Sequence, residues 1–143
     1  MASLTRPLAT NIAAYATSLV VFLGLDAVWL TLTADIYRGT LGDMVAGQAR
    51  LVPAVLFYLL DVAGIVFFCI RPALAQASGR VRPALVKGAL FGFFTYATYD
   101  LTNYATLRIW TAGITALDMA WGTALTAVAA GAGYLAARHI RGI

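Results

Sequence analysis

Four apolar stretches divide the chain, over about residues 11–33, 51–70, 84–107 and 114–137. A bilayer core about 30 Å thick is crossed by roughly 20 residues of helix, and each stretch has that length. Arg71-Pro72 closes the second stretch and Arg82-Pro83 opens the third. Pro53 and Pro83 fall near helix starts, where a missing N–H costs little. The first stretch is too long for the apolar part of a cleaved leader and carries Asp26 and Trp29 near its end, so it is expected to stay attached. The pattern predicts an all-α chain, an integral membrane four-helix bundle forming one domain over residues 1–143.

Composition removes the soluble alternative. The chain is 62% hydrophobic and 11% charged, against about 45–50% and about 25% for ordinary soluble domains. A core of this size cannot absorb that excess, because a small domain leaves much of its surface exposed. A single cysteine, Cys69, excludes an internal disulfide, and a single histidine, His139, makes a His/Cys metal centre untenable. The net charge of +4 does not indicate nucleic acid, because the basic residues stand at the ends of apolar runs. That placement sets membrane orientation. Arg6, Arg71, Arg80, Arg82, Lys87, Arg138 and Arg141 fall on one side and Arg38, Arg50 and Arg108 on the other. The bias predicts both termini in the cytoplasm (N-in/C-in), and places the connector over residues 34–50 outside as a plain link or a lid.

Each stretch contains one carboxylate: Asp26, Asp61, Asp100 and Asp118. One such group at a membrane helix centre costs about 2.5–3.5 kcal/mol on insertion scales. The four are therefore expected to face the bundle interior, hold a proton or find a partner. At 1.5 Å per residue, Asp26, Asp100 and Asp118 lie roughly 6–11 Å below the outer surface, with Asp61 nearer mid-span. Polar and aromatic residues recur around them at spacings of three and four, which share a helix face. Asp26 stands with Trp29 and Thr33, Tyr58 precedes Asp61, and Tyr96, Asp100 and Asn103 form a stripe flanked by Tyr99. Asp118 stands with Trp121. These residues form the expected ligand-binding set. The opposing reading makes them interfacial anchors and structural hydrogen-bond partners, with Asp118 a solvated helix start and Trp110 and Tyr104 interface anchors. Small residues predict close helix contacts, within the chain or with another membrane protein: Gly88 and Gly92 in the third stretch, and Ala120, Ala124, Ala127 and Gly131 in the fourth.

The strings Tyr96-Ala97-Thr98-Tyr99-Asp100-Leu101-Thr102-Asn103-Tyr104, Asp118-Met119-Ala120-Trp121-Gly122 and Asp26-Ala27-Val28-Trp29-Leu30 resemble the bacterial predicted membrane proteins of the family labelled domain of unknown function 2177 (DUF2177). The resemblance covers nearly the whole chain. It implies a four-helix, multi-pass protein of the bacterial inner membrane and supplies no catalytic residues, so the site rests on the physical argument.

Three functions fit these features. The first is binding of a small cation, an amine or a lipid headgroup in the outer half of the bundle. The second is an accessory, structural subunit of a larger membrane complex. The third is an enzyme acting on a lipid or quinone, or a proton-coupled transporter. The enzyme reading has only the carboxylates behind it, since no Ser-His pair, reactive thiol or metal-ligand cluster accompanies them. Transport lacks polar residues in the inner half. No cofactor is indicated.

Overall fold

The apolar stretches fold into four helices in a computed structural model, which describes residues 2–76 and 79–142. Helix α1 runs over Ala2–Leu41, α3 over Arg82–Thr106 and α4 over Ala112–Arg141. Helix α2 is the continuous segment Leu51–Leu74. Among the described residues there is no strand. The segments Arg6–Met44, Leu51–Leu74 and Ala112–Arg141 are long and apolar enough to cross a membrane by length and composition. Helix α3 has 25 residues, which is also a spanning length, and is diluted by Lys87, Asp100, Asn103 and four threonines.

Two helix ends differ from the hydropathy pattern, each for a local reason. Helix α1 continues past residue 33 to Leu41, although Asp35 and Arg38 interrupt the apolar run, because both side chains are exposed on its surface. It stops where Gly42 takes a φ of 50°, which suits glycine, and the turn Gly42–Met44 follows. Helix α2 continues through Arg71-Pro72. A proline inside a helix lacks an N–H and presses its ring on the carbonyl four residues back. Here the ladder widens to a π-helix over Ile65–Ile70, and the Arg71 N–H donates to the Val66 carbonyl five residues back. The widened turn makes room for Pro72 without ending the helix.

Helix α4 is central and packs along both α1 and α3. Glycine makes these approaches possible. A Cβ on Gly88 would meet the Thr126 carbonyl oxygen at 2.7 Å, and one on Gly92 would run into the Gly122 carbonyl. On the other flank a Cβ on Gly133 would meet the Ala14 carbonyl oxygen at 2.8 Å. The Ser18 hydroxyl donates to the Ala129 carbonyl at 3.0 Å, tying α1 to α4. Gly88, Gly92 and Gly131 are thus spent inside the chain, whereas Ala120 and Ala124 are exposed and Ala127 is half-buried.

The π turn of α2 lies against α1, α3 and α4, whereas the backbone of the preceding part, Leu51–Gly64, comes close to α1 alone, with the Phe91 ring of α3 against Gly64 at its end. That part is exposed nearly all round, with Val52 73% and Leu60 70% exposed. The buried apolar core therefore sits towards the end of the molecule that holds the π turn. It contains Phe22, Ile65, Ile70, Leu125 and Tyr134.

Candidate functional site

Helices α1 and α3 both pack on α4, and their backbones stay apart from each other. Towards the Gly42–Met44 turn they enclose a cleft of about 700 Å³. Its walls are Asp26, Trp29, Leu30, Tyr37 and Arg38 from α1, and Tyr96, Tyr99 and Asn103 from α3. Asp118 and Trp121 of α4 and Trp110 of the preceding loop complete it, and residues 44–47 and Ala49 of the first connector close one end. No residue of α2 is among the lining residues.

The polar groups pair across helices. The Tyr58 hydroxyl of α2 donates to Oδ2 of Asp26 at 2.6 Å. The Trp121 indole N–H of α4 donates to Oδ1 of the same carboxylate at 3.3 Å. Asp26 therefore draws three helices together, with one donor on each oxygen. The Trp121 ring in turn stacks on Trp29, with centroids 4.5 Å apart and planes 4° from parallel. Higher in the cleft the Tyr37 hydroxyl donates to Oδ1 of Asp118. The Tyr96 ring packs on Gly122, where a Cβ would overlap it.

Asp100 is fully buried, and no hydroxyl, amide, indole or basic donor reaches either of its oxygens. It stands beside the Asp118 carboxyl. An ionised carboxylate only accepts hydrogen bonds, so two facing carboxyl groups can bond only through a proton or a cation between them. Among the described residues no lysine or arginine forms an ion pair with any of the four aspartates. The fully buried Trp110 indole nitrogen likewise has no acceptor, with its ring edge-on to Tyr99 at 5.6 Å.

Of the expected residues, Asp26, Trp29, Tyr96, Tyr99, Asn103, Asp118 and Trp121 come together around the cleft. Asp100 lies behind its wall, beside Asp118, and Asp61 lies away from it, buried with one oxygen unpartnered. Thr33 does not join the site, because its hydroxyl bonds back to the Trp29 carbonyl. Tyr58 serves Asp26 of α1 rather than Asp61 on its own helix. Asp118 is not a helix start: α4 begins at Ala112, capped by the Thr111 side chain, which accepts from the Ile114 N–H at 3.2 Å. Tyr37, Arg38 and Trp110 are among the lining residues that sequence reasoning did not assign to the site. Tyr37 was detectable, since it continues the spacing Asp26, Trp29, Thr33 by one further turn.

The fold and the cleft define an all-helical membrane protein whose polar chemistry is gathered at one end, between two helices that part. The chain belongs to the family of predicted membrane proteins DUF2177, whose model matches residues 11–135. No curated protein and no solved structure matches it.

Proposed function

We propose that the protein binds a small cationic group, an amine or an amine-bearing headgroup, in the cleft between α1 and α3. The observation that carries this reading is the Asp118–Asp100 pair: one carboxyl lines the cleft, its buried neighbour has no donor beyond that carboxyl, and among the described residues no basic side chain forms an ion pair with either. The aromatic walls suit the same ligand, because cations are attracted to the faces of Trp and Tyr rings within about 6 Å. Asp118 makes the primary contact and Asp26, held by Tyr58 and Trp121, shapes the floor. The chain is read as one membrane domain of four spans in a bacterial inner membrane, with both termini cytoplasmic and the cleft opening towards the outer leaflet. The excess of Lys and Arg at the end that holds both termini supports that orientation.

The test is thermal stabilisation of the purified protein by ethanolamine, choline and a diamine. A ligand at 100 times its Kd stabilises by about 2.7 kcal/mol, a readily measured shift. Asp118→Asn is expected to abolish the shift. If every amine leaves the protein unchanged, or if Asp118→Asn responds as fully as the parent chain, the reading is wrong.

An accessory-subunit role is favoured by a different observation, the exposed Ala116, Ala120 and Ala124 along α4, a smooth face of the kind that membrane helices use for close contact. Purification in mild detergent without a co-purifying protein counts against it.

A further inference from the structure

We infer that the ligand of the cleft is a phospholipid with an amine in its headgroup, taken in from the side between α1 and α3. This rests on the amine reading above and adds an anionic group and an apolar tail to the ligand.

Two donors point to the anion. Arg38 lines the same cleft as Asp118 and Asp26, and its guanidinium has no carboxylate partner among the described residues. The Trp110 indole N–H is buried in the cleft wall with no acceptor. A buried donor left unpaired costs about 1–3 kcal/mol; Nε1 is covered in the fold, so an acceptor oxygen in the cleft relieves it once the Trp110 ring turns towards the cleft. Guanidinium groups favour phosphate because their N–H groups match its oxygens in pairs. A simple amine would use the carboxylates and leave both donors idle. A simple anion would meet the unneutralised carboxylates. A zwitterion matches both sets.

The architecture supplies the tail. The backbones of α1 and α3 stay apart and no α2 residue lines the cleft, which leaves its flank open between the two helices towards the bilayer. Leu30 on α1 and Tyr99 on α3 stand on either side of this opening, 51% and 58% exposed. A soluble solute gains nothing from a lateral opening in a membrane helix bundle, whereas acyl chains can stay in the bilayer while the headgroup enters.

The experiment measures binding of short-chain phosphatidylethanolamine, short-chain phosphatidylglycerol, free phosphoethanolamine and ethanolamine to the purified chain in detergent, by native mass spectrometry and by thermal shift. Phosphatidylethanolamine is expected to bind at least tenfold more tightly than the other three. Arg38→Gln, a change at an exposed residue, is expected to weaken the aminophospholipid about tenfold and, because it removes a positive charge from the cleft, not to weaken ethanolamine. Trp110→Phe, which removes the N–H and keeps a smaller aromatic ring, is expected to act in the same direction. Equal binding of the aminophospholipid and phosphatidylglycerol overturns the inference, as does an Arg38→Gln variant that binds the aminophospholipid normally. Phosphoethanolamine as tight as its lipid overturns the lateral-entry part and makes the ligand a soluble zwitterion. Failure of ethanolamine and every amine-bearing ligand to bind overturns the amine reading itself, a result distinct from a lost preference among them.

Discussion

Tyr58 offers a choice between two hydrogen bonds that the sequence leaves equivalent. Helical spacing pairs it with Asp61, three residues on along α2. The fold pairs it with Oδ2 of Asp26 on α1 at 2.6 Å. Tyr58→Phe removes one hydroxyl and leaves the ring, which packs edge-on to Phe22 at 6.0 Å. A hydrogen bond to a charged group contributes about 1.5–3 kcal/mol in soluble proteins, but cycles within a membrane protein average about 0.6 and reach about 1.7 kcal/mol, because the unfolded chain also finds partners in lipid. Asp26 keeps its second donor, the Trp121 N–H at 3.3 Å, so a variant lacking the tyrosine hydroxyl does not strand the carboxylate. These limits put the coupling at about 1–1.5 kcal/mol. The assay is a double-mutant cycle on unfolding free energy in mild detergent, combining Tyr58→Phe with Asp26→Ala and, separately, with Asp61→Ala. Alanine is used because asparagine would still offer a carbonyl acceptor. Coupling with Asp26 and none with Asp61 is expected. Coupling to Asp61 of equal size, or none to Asp26, would refute the cross-helix network on which the site is built.

Further predictions follow from the packing and the caps. Gly92→Ala sets a Cβ against the Gly122 carbonyl, which cannot turn aside, and is expected to lower stability by about 3 kcal/mol, the upper end for overpacking. Gly64→Ala meets only the tip of the Phe91 ring at 2.6 Å, which can swing away, so its melting temperature should fall far less than that of Gly92→Ala. Thr111→Ala removes the acceptor for the Ile114 N–H and should cost about 1 kcal/mol, read as a lower midpoint of unfolding. Cys69 is 1% exposed, so a membrane-permeant maleimide should label it only after denaturation, and rapid labelling of the native protein would contradict the burial.

What the sequence made legible was the helices and the faces they present. Asp26 with Trp29 and Asp118 with Trp121 stand three residues apart, Tyr96 and Asn103 stand seven apart, and all six side chains line one cleft. Spacing within a helix says nothing about which other helix that face meets. For that reason the donors of Asp26, on α2 and α4, were not legible, and Tyr58 read as a partner of Asp61. Tyr37 was hidden differently: hydropathy falls at Asp35 and Arg38, although a helix may carry exposed charges beyond its apolar run. Trp110, expected as an interfacial anchor, is 8% exposed, stands edge-on to Tyr99 and lines the cleft from the short loop after α3.

Pro72 links these observations to the open flank. In the apolar pattern it reads as the terminator of the second span. In the fold the helix survives it by widening over Ile65–Ile70. Each extra residue in a widened turn rotates what precedes it by about 100° relative to an uninterrupted helix. The part of α2 that precedes the turn is the part whose backbone leaves α3 and α4 and stays close to α1 alone. It still delivers the Tyr58 hydroxyl to Asp26, and it leaves the gap between α1 and α3 unwalled. A straight α2 would keep the register it has beside Gly133, where Ile70 packs, and would carry Leu51–Gly64 along a different face of the bundle. The proline thus bears on the site at a distance, by deciding which helix α2 leans on where the carboxylates lie.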